Sequence, residues 1–315
     1  MAIKRAFVTG GSGMVGSLLA RRLLAQGADV AVLSRLGANR LRLNDIARHI
    51  QFVETDIRDS VRIGKFLTEY RPTVVFHLAS TPFNPPTIPL SEHLSVNTLG
   101  MAGLVEGLAS CPDARVIYTG SAAVYGSASQ AGEDSDCVPA TWLGATKAAG
   151  AVLLATHARI TGMRVIELRL YTPYGPWERP TRLIPSVVLS ALDRRPVRTS
   201  EGRQRRDFLY VDDLLDALFA AAALPGSGFE VLNIGSGEGI EIREIVTKIL
   251  ELMGNPAKAD FGAVPTRSDE ILEMSANISK AKAILDWQPK IGLEEGLKRT
   301  VEWITVNADM CRRLT

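Results

Sequence analysis

Thr9-Gly10-Gly11-Ser12-Gly13-Met14-Val15-Gly16 is the stretch on which the reading of this chain turns. It lies between an apolar strand run, Ala6-Phe7-Val8, and a segment in which Leu18, Leu19, Leu23 and Leu24 form the apolar face of a helix. Gly10, Gly13 and Gly16 permit a tight bend, close approach of a pyrophosphate to the backbone, and close packing of the helix on its strand. The helix amino end then offers unpaired N–H groups and a positive dipole to the phosphates. Glycine alone would prove little, because turns are rich in it, but the strand and helix on either side make this a dinucleotide-binding turn.

Moving outward, Ala28 to Ser34 (ADVAVLS) suits a buried parallel strand. Its end carries Ser34-Arg35, with Arg40 and Arg42 soon after, where an acidic residue would bind the ribose hydroxyls of NAD. That pattern favours NADP(H) over NAD(H); the same arginines also suit a solvated surface. Ile50 to Val53 is a third strand, followed by Asp56-Ile57, which could hold an adenine, although Asp56 and Asp59 could equally cap the next helix. Thr73 to Leu78 is a fourth strand, and the small residues Ala79 and Ser80 beyond it would let a cofactor cross the sheet edge. Pro82 to Pro89, with four prolines, is a loop that would lie over the site's mouth. A helix over about Ser91 to Ala109 carries Asn97. Arg115 to Thr119 is a fifth strand leading to Ser121, and an Ala-rich helix from Trp142 to about Thr161 holds Lys147, which either snorkels to solvent or has a buried task.

The bulk numbers set limits. At 315 residues the chain can bury a full core, and 36 basic against 34 acidic residues leave no global pull toward nucleic acid or an anionic membrane. Cys111, Cys137 and Cys311 form no C-x-x-C pair, and His49, His77, His93 and His157 show no metal-ligand spacing, so neither a disulfide framework nor a metal site is expected. No apolar run reaches the roughly 20 residues needed to span a bilayer. The expectation is a soluble, cytoplasmic protein. Beyond Pro173, prolines at 176, 180, 185 and 196 break the βα rhythm, a helix is expected over Ile184 to Asp193, a strand over Phe208 to Val211 and a helix over Asp212 to Leu224. The run Arg203-Gln204-Arg205-Arg206-Asp207 is either a surface turn or a diphosphate clamp.

Eight segments in order, TGGSGMVG at Thr9, TDIRD at Thr55, HLAS at His77, SAAVYG at Ser121, GATKAAG at Gly144, RLYTPYGP at Arg169, RRDFLYVDD at Arg205 and ILDWQP at Ile284, resemble the extended short-chain dehydrogenases/reductases. Within them the resemblance is to the NAD-dependent epimerase/dehydratase branch acting on nucleotide sugars. It implies an α/β fold: a Rossmann-type doubly wound parallel sheet with a smaller, mixed α/β C-terminal substrate lobe. Residues 1–172 and 208–240 would form the dinucleotide-binding domain, and 173–207 and 241–315 the substrate lobe. Gly10, Gly13, Met14 and Val15, with Ser12 and Gly16 in the same turn, would hold the pyrophosphate. Asp56 and Ile57 would hold the adenine, and Leu78, Ala79 and Ser80 the middle of the cofactor, with Ser34, Arg35, Asn97 and Pro173 completing the set. Ser121 resembles the catalytic hydroxyl on the reacting sugar oxygen, and Lys147 the lysine that binds the nicotinamide ribose. Arg206 and Arg267 would grip the substrate's diphosphate, with Thr172 where many relatives have an asparagine.

The chain departs from that pattern at one place. Four residues before Lys147, where the family has its acid/base tyrosine, stands Leu143. A step worth on the order of 10² to 10⁴-fold has no agent at that position. Ala122 and Ala123 stand where the family's 4,6-dehydratases carry an acidic pair, which argues against dehydration. The expected function is an NAD(P)-dependent nucleotide-sugar epimerase or ketoreductase with atypical proton chemistry; the alternative is a cofactor-binding pseudoenzyme or a non-redox catalyst on the same scaffold. The resemblance also implies a homodimer through the helices near 91–109 and 142–161.

Overall fold

In the computed structural model, which describes residues 3–82, 88–267 and 269–314, the apolar runs assemble into a seven-stranded parallel sheet. Strands β1 (Arg5–Thr9), β2 (Asp29–Ser34), β3 (Gln51–Glu54), β4 (Val74–His77) and β5 (Arg115–Ser121) are joined by Val165–Leu170 and Phe229–Ile234. Across the sheet the order is Phe229–Ile234, Val165–Leu170, β5, β4, β1, β2, β3. These strands read as near-continuous apolar runs because both faces are covered: Val8, Val32 and Phe76 enter one core, Phe7, Ala31 and Val75 the other. The strand order reverses between β1 and β4, and the crevice outside the carboxyl ends at such a switch point is where doubly wound sheets bind ligands.

The expected helix over Ser91 to Ala109 forms with one feature the sequence did not announce. Between Leu90–His93 and Gly100–Leu108 the chain makes a wider turn over Leu94–Leu99, a geometry found mostly at functional sites. It turns Asn97 inward, 2% exposed. The helix Trp142–Thr161 starts where expected, with the Thr141 hydroxyl accepting from the Gly144 N–H at 3.1 Å, a cap worth about 1 kcal/mol. Of the proline-rich loop, residues 83–87 lie outside the described residues.

A smaller sheet carries the second half of the site. Its strand order is Gly239–Glu241, Arg205–Tyr210, Glu273–Ala276, Ala128–Ala131, with Thr172–Tyr174 also pairing with Arg205–Tyr210. Helices Leu183–Leu192, Ile242–Leu252 and Leu293–Val306 pack a third core around Val188, Ile245 and Leu297. The tail segment that ends the resemblance is tied down by Trp287, buried, whose indole N–H donates to Asp213 O at 2.9 Å. Among the described residues no helix is long and apolar enough to cross a membrane.

Candidate functional site

The glycine turn is built as its sequence requires. Gly10 has φ +71°, and a Cβ there would sit 2.7 Å from the backbone of Leu78 and Ala79, so only glycine lets the turn lie against the end of β4. At Gly16 a Cβ would meet Gly10 O at 2.5 Å, which is the close packing of helix on strand. Helix α1 (Met14–Ala25) begins after Gly13, which has no side chain to cap it, so the first-turn N–H groups of Met14 and Val15 are left to a phosphate. The residues present therefore fit a dinucleotide pyrophosphate. Thr9 fastens the edge: its hydroxyl accepts from the Ala79 N–H at 3.1 Å and pairs with His77 Nδ1 at 2.7 Å. Burial, with Lys147 adding repulsion, pulls His77 down to about 3, so it stays neutral.

The other expected cofactor residues differ in how far their side chains are already engaged. Asp56 is bound by its neighbour Arg58, Oδ1 accepting from Nε at 2.7 Å and Oδ2 from Nη2 at 2.8 Å, and that guanidinium holds its carboxyl below the usual range. Of Asp56 and Asp59, both considered as caps for the next helix, Asp59 takes the role, accepting from the Arg62 N–H at 3.0 Å. Ile57 is buried beneath Gly100. Asn97 is fully engaged within the protein: its Oδ1 accepts from the Thr81 N–H, and its Nδ2 donates to the Thr81 and Thr146 hydroxyls, each at 3.0 Å. It ties the segment after β4 to the helix bearing Lys147. Ser80 donates to Thr81 O at 3.0 Å, and Pro173 pairs in register with Leu209.

The chemistry-bearing residues meet at the end of β5. Ser121 is its last residue, and its Oγ accepts from the Ala123 N–H at 3.1 Å, which occupies a lone pair and leaves the hydroxyl hydrogen for another acceptor. Lys147 does not snorkel: it is 5% exposed and donates from Nζ to Thr119 O at 2.7 Å, 4.8 Å from the Tyr118 ring centroid. Burial lowers it to about 8, and the Glu167 carboxyl opposes the fall. Glu167, fully buried on Val165–Leu170, fits because Gly120 on β5 has no side chain to fill its place. It was missed from the sequence, although a glutamate in so apolar a strand was a signal for it.

Ser121, Leu143, Thr172, Arg206 and Arg267 line one cavity of about 350 Å³, a size suited to a small-molecule ligand. Tyr171, Tyr174, Glu178, Arg182, Phe208 and Glu270 share that lining. Arg206 is buried and ion-paired with Glu270; burial pulls its pKa down and Glu270 opposes. Arg267 makes a two-point contact with Asp269, at 2.8 and 2.7 Å. Both guanidiniums thus reach the cavity already matched with carboxylates. Among the described residues no cluster of side chains could hold a metal ion.

With this geometry in place, residues 6–235 match the NAD dependent epimerase/dehydratase family, and the chain belongs to that family. It is an extended short-chain dehydrogenase/reductase of the nucleotide-sugar epimerase/dehydratase kind. A UDP-glucose 4-epimerase of Mycolicibacterium smegmatis is 31% identical over 315 residues, covering 95% of this chain and 98% of that protein. The UDP-glucose 4-epimerase of Thermotoga maritima with UDP-glucose superposes with a TM-score of 0.89 at 28% identity, over 96% of this chain and 99% of that one. A tyrosine-to-phenylalanine variant of UDP-glucuronic acid 4-epimerase from Bacillus cereus, in complex with UDP-4-deoxy-4-fluoro-glucuronic acid and NAD, gives 0.86 at 26% identity over the same shares.

The expectation of NADP(H) is corrected by solved complexes of relatives, the Bacillus cereus variant among them, which hold NAD. The physical reason lies beside Ser34. Its register partner on β3 is Glu54, which ion-pairs with Arg40, while Arg40 also donates from Nε to the Ser34 hydroxyl at 3.1 Å and lies over Phe52. Arg42 is buried and donates to Trp177 O at 2.8 Å and Ser12 O at 3.3 Å. Two of the three arginines counted toward a 2′-phosphate are thus engaged elsewhere, and Glu54, at the end of β3, puts a carboxylate in register with Ser34. Arg35 stays exposed.

Proposed function

We propose that this chain is an NAD-dependent enzyme that epimerises a UDP- or dTDP-linked sugar. The observation that carries the reading is that one cavity brings Ser121, at the carboxyl end of β5, together with two guanidiniums suited to a diphosphate. Relatives named as UDP-glucose and UDP-glucuronate 4-epimerases support the substrate class. Dehydratases are also among the relatives, but Ala122 and Ala123 are buried against Tyr171 and Met274 and hold no proton to eliminate water. NAD would lie along the turn at Gly10, Ser12, Gly13, Met14, Val15 and Gly16, with its ribose held by Lys147; when bound, it supplies the acceptor and donor of a hydride. Ser121 donates its hydroxyl hydrogen to the reacting sugar oxygen. Lys147 keeps a positive charge beneath the site below pH about 8. Residues 1–172 and 208–240 serve the cofactor, and the remainder the substrate.

A second reading, a cofactor-binding protein without turnover, is favoured by Leu143 alone. The Bacillus cereus variant, in which one tyrosine is a phenylalanine, holds a nucleotide-sugar analogue and NAD, so binding alone fits either reading and turnover decides between them. The test is to incubate the purified protein with NAD and a panel of UDP- and dTDP-sugars, following nicotinamide absorbance and product stereochemistry. The expected result is an inverted sugar with no net absorbance change. Net reduction of NAD would make the protein an oxidoreductase, and binding without any product would make it a pseudoenzyme. Exposed apolar side chains at Leu99, Trp142 and Val152 on the helical faces near 91–109 and 142–161 support a homodimer, testable by sedimentation.

A further inference from the structure

Leu143 leaves the reacting hydroxyl without its usual proton partner, and the cavity wall narrows the replacements. Tyr174 donates its hydroxyl to Leu293 O at 3.3 Å. Tyr171 has a buried hydroxyl, and burial together with Tyr125, Asp207 and Glu133 pushes it far above neutrality, so it is no base at working pH. The wall carries two carboxyls, each ion-paired with an arginine: Glu270 with Arg206 and Glu178 with Arg182. Glu178 is the one with an oxygen, Oε2, buried and without a hydrogen-bond partner.

Glu178 follows the strand Thr172–Tyr174 on a loop built to hold it still. Trp177 takes φ +69°, a conformation that side chains rarely adopt, and surrounding contacts keep it there. Its carbonyl accepts from Arg42 Nε, the same guanidinium that reaches Ser12 O, so the loop is fastened to the cofactor turn. Its ring packs on Trp303, centroids 5.1 Å apart. The Glu178 side chain is 7% exposed; Oε1 accepts from Arg182 Nε at 3.3 Å, and Oε2 is buried with no hydrogen-bond partner. The groups facing it are Arg182 from the start of helix Leu183–Leu192, Arg42, Tyr174, and Cys311, whose Sγ lies 4.0 Å from Glu178 O. Burial raises the carboxyl to about 7, with Arg182 and Arg42 restraining the rise. General acid–base catalysis requires a group poised near the operating pH on the wall of the site, and Glu178 lines the same cavity as Ser121.

We propose that Glu178 is the acid/base of this site, accepting the proton of the reacting hydroxyl and later returning it, in place of the phenol that Leu143 displaces. The proposal rests on the epimerase reading above. The bookkeeping closes: the sugar O–H bond breaks and a carboxylic O–H forms on Glu178 while the carbinol hydride leaves to the nicotinamide cofactor and C=O forms. On the opposite face both return, with no proton lost.

Glu178→Gln keeps the shape and removes the titration. Carboxyl carbon resonances of ¹³C-glutamate-labelled protein should show one group titrating near pH 7 that vanishes in the variant, a readout independent of turnover. Turnover should fall on the order of 10² to 10⁴-fold, with NAD and UDP affinities little changed. Adding Leu143→Tyr to Glu178→Gln should restore activity. A Glu178→Gln variant as active as the wild type, or a Glu178 resonance titrating in the ordinary carboxylate range, overturns the proposal and leaves the epimerase reading standing. Wild-type protein that binds both ligands and never inverts a sugar overturns that reading and this role together.

Discussion

The glycine turn at Thr9 to Gly16 and the substrate cavity around Ser121 make their sites by opposite means. The turn works through what is missing: side chains absent at Gly10 and Gly16 let backbone meet backbone, and the uncapped start of α1 supplies the donors. The cavity works through side chains held against each other, Arg206 on Glu270, Arg267 on Asp269, Arg182 on Glu178. Backbone sites of the first kind cannot be adjusted without being lost. Paired charges of the second kind can exchange partners, so an incoming diphosphate can take the place of a carboxylate.

Substitutions should separate the two kinds of site. Gly10→Ala puts a Cβ against the backbone of Leu78 and Ala79 at φ +71°, and NAD binding should be lost in calorimetry while UDP binding persists; a variant that still binds NAD tightly would break the contrast. Arg206→Ala should weaken UDP-sugar binding by about 2–5 kcal/mol through loss of its charge-assisted contact with the diphosphate, with NAD affinity intact. The pH dependence of kcat/KM comes next. Glu178 must be ionised to accept a proton and Lys147 charged to hold the ribose, so activity should rise through pH about 7 and fall through about 8. The raised carboxyl has a stability signature too. Folded Glu178 holds its proton to a higher pH than the unfolded chain does, so the wild type should lose stability relative to Glu178→Gln as pH rises from about 4.5 to about 7. Smallest of all, Arg40→Ala should cost no more than about 1 kcal/mol, since its pair with Glu54 is partly exposed, and should leave the preference for NAD over NADP unchanged in a binding titration.

The same contrast explains what was legible in the sequence. The glycine turn, the parallel sheet and the helix carrying Lys147 are local: each follows from the spacing of apolar residues and glycines within about 20 positions. The run holding Arg206 and the serine at the end of β5 were visible in the sequence, but Arg267 and the convergence of all three came only through the resemblance, because they arrive from β5, Arg205–Tyr210 and the segment near 267. The cofactor expectation failed for a related reason. Arg40 and Arg42 were counted as free charge, and their partners Glu54, Trp177 and Ser12 lie 12 or more residues away, in other elements. Glu167 and Glu178 were passed over because a single carboxylate in an apolar run or a proline-rich loop has no periodic signature. Only the packed structure shows that one carboxylate acts on Lys147 and that the other lines the same cavity as Ser121.

The central claim is that hydride and proton leave and return within one closed site. Turnover of a UDP-sugar with NAD in D₂O, followed by proton NMR of the product, tests it. The account expects an inverted carbon that retains its original hydrogen; deuterium at that carbon would show exchange with solvent and contradict it.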